Sequence, residues 1–119
     1  MEPIAPLTEI SSEGICFTYK EGPFDEEGIL LKLSDGQIRA YKNECRHLPM
    51  RLDDREPRDF WDPTKTHLVC NSHGARYRPA DGLCVSGPCE GSHLRPLPIV
   101  VEDGVVYLDT SQVGGFFVV

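Results

Sequence analysis

The sequence predicts an all-β chain of antiparallel strands, and three observations carry that expectation. Asp-Gly pairs fall at Asp35-Gly36, Asp81-Gly82 and Asp103-Gly104, each between two apolar runs, and an Asp-Gly step suits the left-handed residues of a tight hairpin turn. "ICFTYK" at 15–20 alternates with the period of two that a half-buried strand needs. No stretch sustains a helical period.

The elements follow in order. "ICFTYK" is the first expected strand. "GILLKL" (28–33) and "QIRAYK" (37–42) flank "SDG" and predict a hairpin. "HLVC" (67–70) is a short apolar run. "ARYRP" and "GLCV" flank "ADG" at 80–82, and "LRPLPIVVE" and "VVYLD" flank Asp103-Gly104. Pro96 and Pro98 cannot donate to a ladder, which assigns that stretch to a sheet edge or to irregular backbone. Between Arg51 and Thr66, "RLDDREPRDFWDPTKT" breaks the pattern with charge, two prolines and the pair Phe60-Trp61. Long connections are functional or disordered. The two rings predict a packed loop, with pinning to the body and docking to a partner as their two uses.

A chain of 119 residues suits one domain, large enough to hide roughly two-thirds of its unfolded surface. Its start, "MEPIAPLTEI", has neither a basic n-region nor an apolar h-region, and no apolar run approaches a membrane span. The expected compartment is the cytoplasm, with no membrane partner. A net charge of −7 argues against nucleic-acid binding. The charge is unevenly spread: Cys45 to Arg78 carries +2 and the remainder −9.

Five cysteines cannot all pair within one chain, and without an export signal metal binding is the first question to ask of them. "NECRHLPMRLD" holds Cys45-x-His47, and "VCNSHG" holds Cys70-x-x-His73 followed by Gly74. Each pair sets a thiolate and an imidazole together on a loop after an apolar run, and such donors suit zinc or an iron–sulfur centre. No proline falls early in either loop, which leaves backbone amides to donate to sulfur. Structural zinc sites often group like ligands. A two-iron cluster with sulfur ligands on one iron and nitrogen ligands on the other needs two facing loops, each giving one donor to each metal. The mixed order here fits that demand.

The two ligand loops, their separation and the Asp-Gly hairpin that follows resemble the Rieske [2Fe–2S] domain. The resemblance runs from "GPFDEEGILLKL" through "NECRHLPMRLD" and "VCNSHGARYRPADGLCVSGPC" to "LRPLPIVVEDGVVYLD". It implies an all-β Rieske fold, with an antiparallel β-sandwich-like base (1–43 and 79–119) and an inserted cluster-binding subdomain (44–78). It implies one [2Fe–2S] cluster per chain, with Cys45 and Cys70 on the inner iron and His47 and His73 on the outer, exposed iron.

Charge then sets the redox behaviour. Two ferric ions, two sulfides, two thiolates and two neutral imidazoles sum to zero, so reduction gives −1, where an all-cysteine cluster would pass from −2 to −3. Imidazole ligation therefore raises the potential, into a range of about −150 to +300 mV. High-potential members of the family join the ligand loops by a disulfide and carry a serine after the His-Gly. Met50 and Ser72 occupy the disulfide positions here and Ala75 the serine position, while Tyr77 keeps a phenol available to a cysteine sulfur. The expected potential lies at the low, ferredoxin end.

Cys16, on the alternating strand, is expected in the core. "GLCVSGPCEGSHL" admits a second site, Cys84-x4-Cys89-x3-His93, which lacks an evident fourth ligand, or a Cys84–Cys89 disulfide. Small buried residues around a tight Gly-Pro turn is the reading favoured here. His67 and His93 are expected to be surface or satisfied histidines. Rieske oxygenases add a large catalytic domain for which this length leaves no room. The resemblance therefore implies a soluble one-electron carrier rather than an enzyme in its own right, passing electrons from a flavin-dependent reductase to a terminal oxygenase or related oxidoreductase. Arg46 and Arg76, beside the ligands, are available to face an acidic partner or to offset cluster charge. The alternatives are a Rieske-type small subunit of a larger reductase, with "GGFFVV" at 114–119 docking or packing on its own sheet, and a structural zinc-binding interaction module.

Overall fold

The computed structural model describes residues 1–46, 50–54, 59–70 and 74–113. Two compact units emerge, Met1–Lys42 with Pro96–Val119, and Asn43–Arg95. The second reaches beyond the 44–78 segment expected to carry the ligands and takes in the hairpin at Cys84. Among the described residues there is no α-helix, only a 3-10 turn at Leu7–Glu9. Among those residues no helix is long and apolar enough to cross a membrane.

The first unit contains two three-stranded antiparallel sheets. One has the order β1-β9-β8, from β1 (Glu2–Pro6), β9 (Val105–Leu108) and β8 (Ile99–Glu102). The other has the order β2-β3-β4, from β2 (Ile15–Glu21), β3 (Phe24–Lys32) and β4 (Ile38–Lys42). Inward residues of both sheets meet in one core, where Ala5, Leu30, Ala40 and Val106 are buried with Ile10, and Ile15, Phe17, Ile38 and Ile99 pack against them. This is the sandwich-like base of the expected all-β fold.

The Asp-Gly steps behave as expected. Asp103 (φ 51°) and Gly104 (φ 77°) are both left-handed, as a two-residue turn between β8 and β9 requires. At the β3–β4 turn, Asp35 Oδ1 accepts from the Gln37 N–H and the Leu33 N–H donates to the Gln37 carbonyl. The prolines also act as expected: β8 begins only at Ile99, after Pro96 and Pro98, and forms an edge of its sheet.

Three features depart from the sequence expectation. β1 was not anticipated, because Pro3 and Pro6 obscure it; as an edge strand with a bulge between Pro3 and Ala5 it tolerates them. β3 starts four residues before "GILLKL", since Gly22 and Pro23 close a tight turn that pairs Glu21 with Phe24. Cys16 is exposed, not in the core. The alternation is right but its phase buries Tyr19 and half-buries Ile15 and Phe17, which turns Cys16, Thr18 and Lys20 outward.

The second unit has one small antiparallel sheet, β5 (Leu68–Val69), β6 (Arg76–Tyr77) and β7 (Cys84–Ser86), in the order β5-β6-β7. Its strands are two or three residues long, so loops make up most of it.

Candidate metal centre

The first of the two loops expected to carry ligands follows β4 from Asn43. The Cys45 N–H donates to the Met50 carbonyl at 2.8 Å, closing the loop on itself. The buried Asn43 amide braces the far side: its Oδ1 accepts from the Leu52 N–H at 2.9 Å and its Nδ2 donates to Asp53 at 3.0 Å. Arg51 holds the same carboxylate through Nε and a second guanidinium nitrogen. Burial alone would raise the pKa of Asp53, but the Arg51 and Asn43 donors hold it below the usual carboxylate range. Cys45 is left buried, with 2% of its surface exposed.

The second loop is the turn between β5 and β6. The Cys70 N–H donates to the Ala75 carbonyl at 2.9 Å and the Gly74 N–H to the Cys70 carbonyl at 2.8 Å. Gly74 has φ +77°, the left-handed conformation that lets the chain return tightly after the ligand sequence. Cys70 is fully buried and, like Cys45, is in no disulfide. The Cys45, Cys70 and Gly74 amides close the turns, and the Arg46 N–H donates to Tyr77. His47, Ser72 and His73 lie outside the described residues.

Tyr77 joins the two loops. It stands on β6, fully buried, and its hydroxyl lies 3.5 Å from Cys45 Sγ while accepting from the Arg46 N–H at 3.0 Å. Burial, with the Cys45 and Cys89 thiols beside it, drives the phenol pKa far above its ordinary value, so the hydroxyl keeps its proton and remains a donor. The expectation that Tyr77 serves a cysteine sulfur holds, and that sulfur is Cys45. Its second sulfur neighbour was not foreseen: Cys89 Sγ lies 3.0 Å from the same hydroxyl. Nothing in the spacing of "GLCVSGPC" points to Tyr77, because the contact depends on how β6 and β7 pair.

The connection before the second loop is pinned by Asp62. Its buried carboxylate accepts from the Thr66 N–H at 2.9 Å, the His67 N–H at 3.2 Å and the Thr64 hydroxyl at 3.0 Å, and pairs with Arg76. Burial opposes ionisation, yet these donors bring the Asp62 pKa down to about 2. Arg76 is thus engaged in the fold, while Arg46 is exposed beside Cys45. Phe60 is buried against the Trp61 ring, with centroids 5.9 Å apart, and its carbonyl accepts from the Val69 N–H. The rings therefore pin the loop to its own unit. His67 is satisfied by Thr66 and Asp62, and His93 is exposed.

Among the described residues no three potential ligands converge, so Cys84, Cys89 and His93 form no second site. The thiolate half of the expected donor set fits a [2Fe–2S] group. Two buried, unbridged cysteines stand on separate loops, and a phenol kept protonated is directed at the sulfur of one of them, where anionic charge needs a donor.

Comparison with known proteins agrees. The chain matches the Rieske [2Fe-2S] domain over residues 6–105. Among solved structures it is similar to the reduced complex between oxygenase and ferredoxin in carbazole 1,9a-dioxygenase, at 25% identity and a TM-score of 0.66, covering 89% of this chain and 27% of that one. It is similar in fold to the terminal oxygenase of carbazole 1,9a-dioxygenase from Nocardioides aromaticivorans IC177, at 22% identity and a TM-score of 0.69, covering 90% of this chain and 29% of that one. The Sphingomonas yanoikuyae B1 ferredoxin shares the fold at 22% identity and a TM-score of 0.64, covering 90% of this chain and 95% of that one. The chain thus spans little more than a quarter of the first two matched chains. A comparison with curated proteins gave no match. With a family match over most of its length, the chain belongs to the Rieske [2Fe–2S] domain family, whose members bind a [2Fe–2S] cluster.

Proposed function

We propose that this chain is a one-electron carrier of the Rieske ferredoxin type. Cys45 and Cys70 hold one iron and His47 and His73 the other. The electron comes from a flavin-dependent reductase and leaves to a terminal oxygenase. Bound in this way, the cluster supplies a site that accepts and releases a single electron without a change of ligands.

The chain's own residues set the conditions for that exchange. The observation that carries the proposal is the buried Cys45 thiol with the Tyr77 hydroxyl 3.5 Å away. A protonated phenol stabilises negative charge on that sulfur, and the reduced state has more of it. The Arg46 N–H, donating to Tyr77, holds the phenol in place and strengthens it as a donor. Ala75, fully buried, offers no hydroxyl where the high-potential relatives have one. Met50 lends the loop a backbone carbonyl where those relatives have a bridging cysteine. The potential therefore falls at the low end of the family span of about −150 to +300 mV. An oxygenase partner is suggested by the oxygenase–ferredoxin complex that the fold resembles.

Protein isolated without air tests this. Iron and acid-labile sulfide in a ratio of two each per chain, with a reduced-state paramagnetic signal of mixed nitrogen–sulfur ligation, are expected. Stopped-flow mixing of the reduced protein with a terminal oxygenase should reoxidise it in a single phase. A colourless zinc adduct would overturn the cluster assignment, and a stable stoichiometric complex with a reductase in the native host would replace the carrier by a subunit. In His73→Cys, if a cluster assembles, the potential should fall; an unchanged value would contradict the charge argument.

A further inference from the structure

Cys84 and Cys89 take no part in the ligand set, yet they lie against each other. Their sulfurs are 3.2 Å apart and unbonded. A disulfide needs them roughly 1 Å closer, with no change in which side chains face each other. The backbone holds this arrangement from both ends. The Cys84 N–H donates to the Ser92 carbonyl at 2.7 Å, the Gly91 N–H to the Cys84 carbonyl at 2.9 Å, and the Ser92 hydroxyl to the Cys89 carbonyl at 2.7 Å.

The two thiols differ in access. Cys84 is 1% exposed and directed at the Ser86 carbonyl at 3.2 Å, whereas Cys89 is only half-buried. Burial, with Cys89 beside it, raises the Cys84 thiol pKa to about 11. A reagent from solvent therefore meets Cys89 first. Cys89 in turn touches the Tyr77 hydroxyl at 3.0 Å. The chain of contacts runs Cys84, Cys89, Tyr77, Cys45.

We propose that Cys84 and Cys89 form a redox-active dithiol, oxidised to an intramolecular disulfide by a low-molecular-weight disulfide, and that Tyr77 carries the change to Cys45. The Cys89 thiol attacks the small disulfide, forming a mixed disulfide and releasing one thiol. The Cys84 thiol then displaces the second thiol from Cys89. One sulfur–sulfur bond forms in the protein as one breaks in the reagent, and two electrons and two protons pass to the two released thiols.

The effect on Cys45 follows from a count of protons. The Tyr77 oxygen accepts the Arg46 N–H; with Cys45 a thiolate in the proposed cluster, the one phenol proton would go to that stronger acceptor, 3.5 Å away. In that arrangement the Cys89 sulfur, 3.0 Å from the hydroxyl, would serve its remaining lone pair through the S–H. In the disulfide, Cys89 has no proton to give. Tyr77 loses one of its two donors, its hydroxyl becomes a poorer donor, and charge on the Cys45 sulfur is less well stabilised. A second route runs through the backbone. Gly87, inside the loop that the disulfide would close, stands where a Cβ would lie 2.8 Å from Ala75 Cα, and the Ala75 carbonyl anchors Cys70. This coupling to potential rests on the proposed cluster; disulfide formation does not.

The test uses the cluster-loaded protein carrying Cys16→Ser, so that the exposed thiol does not compete. It is incubated without air in glutathione buffers of graded ratio, alkylated, digested and analysed by mass spectrometry, while visible absorbance follows the cluster and voltammetry its potential. The expected result is a Cys84–Cys89 link, two mass units lighter, with absorbance retained and a lower potential than in the dithiol form. Reduction should restore the potential. In Cys89→Ser no link forms, and the potential should be insensitive to the buffer. Only mixed adducts, or no reaction, at Cys84 and Cys89 would overturn the dithiol. A link with an unchanged potential would overturn the coupling through Tyr77. Absence of iron and sulfide would instead defeat the proposed function, and the mass readout would still decide the dithiol.

Discussion

The two units of this chain are held together by different means. In the first, strands of four to nine residues alternate apolar side chains into a shared core, with Leu30 and Val106 fully buried at its centre. In the second, strands of two or three residues carry loops braced by buried polar groups, Asn43 and Asp53 on the first ligand loop and Asp62 before the second. Apolar burial needs only the right alternation of side chains. Polar bracing needs each donor and acceptor in place, and strands this short have little stability of their own. The difference predicts that the first unit stands without a metal, while the second relies on the cross-link that the proposed cluster would supply.

Loss of the cluster is the strongest way to break that comparison. Replacing Cys70 with Ser, or stripping the metal, should speed hydrogen exchange at the Cys70 and Gly74 amides by roughly 100-fold or more, since metal binding is coupled to local folding. The Leu30 and Tyr41 amides, in the β3–β4 ladder, should keep their protection. Equal loss in both units would show that the base also depends on the metal.

The converse variant belongs to the base. Leu30→Ala empties a fully buried site among Ala5, Ala40 and Val106 and should cost about 2–5 kcal/mol in denaturant unfolding. The cluster potential should not move, because Leu30 belongs to the core of the first unit and the Tyr77 hydroxyl beside Cys45 to the second. A shifted potential would mean that the packing of the base tunes the centre.

How much was legible in the sequence follows the same division. The hairpins at Asp35-Gly36 and Asp103-Gly104 could be read because turn chemistry and alternation are local, and both formed as expected. β1 was missed because its prolines are acceptable only at an edge, and edge position is a property of the sheet. Cys16 was misplaced because alternation gives the period but not which face is inward. Cys45-x-His47 and Cys70-x-x-His73 make two metal-binding loops an expectation of the sequence, and of those four residues the structure describes only the two cysteines, both buried. The Tyr77–Cys89 contact and the Asp62 hub could not be read, since each joins segments whose approach is set by pairing and loop closure.

Asp62 gives a smaller and local test. Its folded pKa of about 2 lies below the ordinary aspartate value of 3.8. Its ionised form therefore stabilises the fold fully above about pH 4, and that contribution is lost as pH falls toward 2. Fluorescence of Trp61, the sole tryptophan and the neighbour of Asp62, should report loosening across that window. Asp62→Asn, which leaves Arg76 without its partner, should cost about 1–2 kcal/mol at pH 7 and should lack the acid transition. A variant that retains the transition would assign it to another carboxylate.

The smallest effect is expected at Cys16, and it sets the exposed thiol of the first unit against the buried and half-buried thiols of the second. Cys16 is exposed on β2, so Cys16→Ser should change stability by no more than about 0.5 kcal/mol. Thiol reactivity follows access as well as ionisation. In the folded, reduced protein, timed alkylation should therefore modify Cys16 first, the half-buried Cys89 next and Cys84 last. Cys84 reacting as fast as Cys16 would mean that the 84–92 loop opens readily. The backbone bonds that hold Cys84 against Cys89 would then be too weak to bring the two sulfurs together, and the contrast between a base fixed by its core and a ligand-bearing unit fixed by its braces would have to be drawn at Pro79 instead of Arg95.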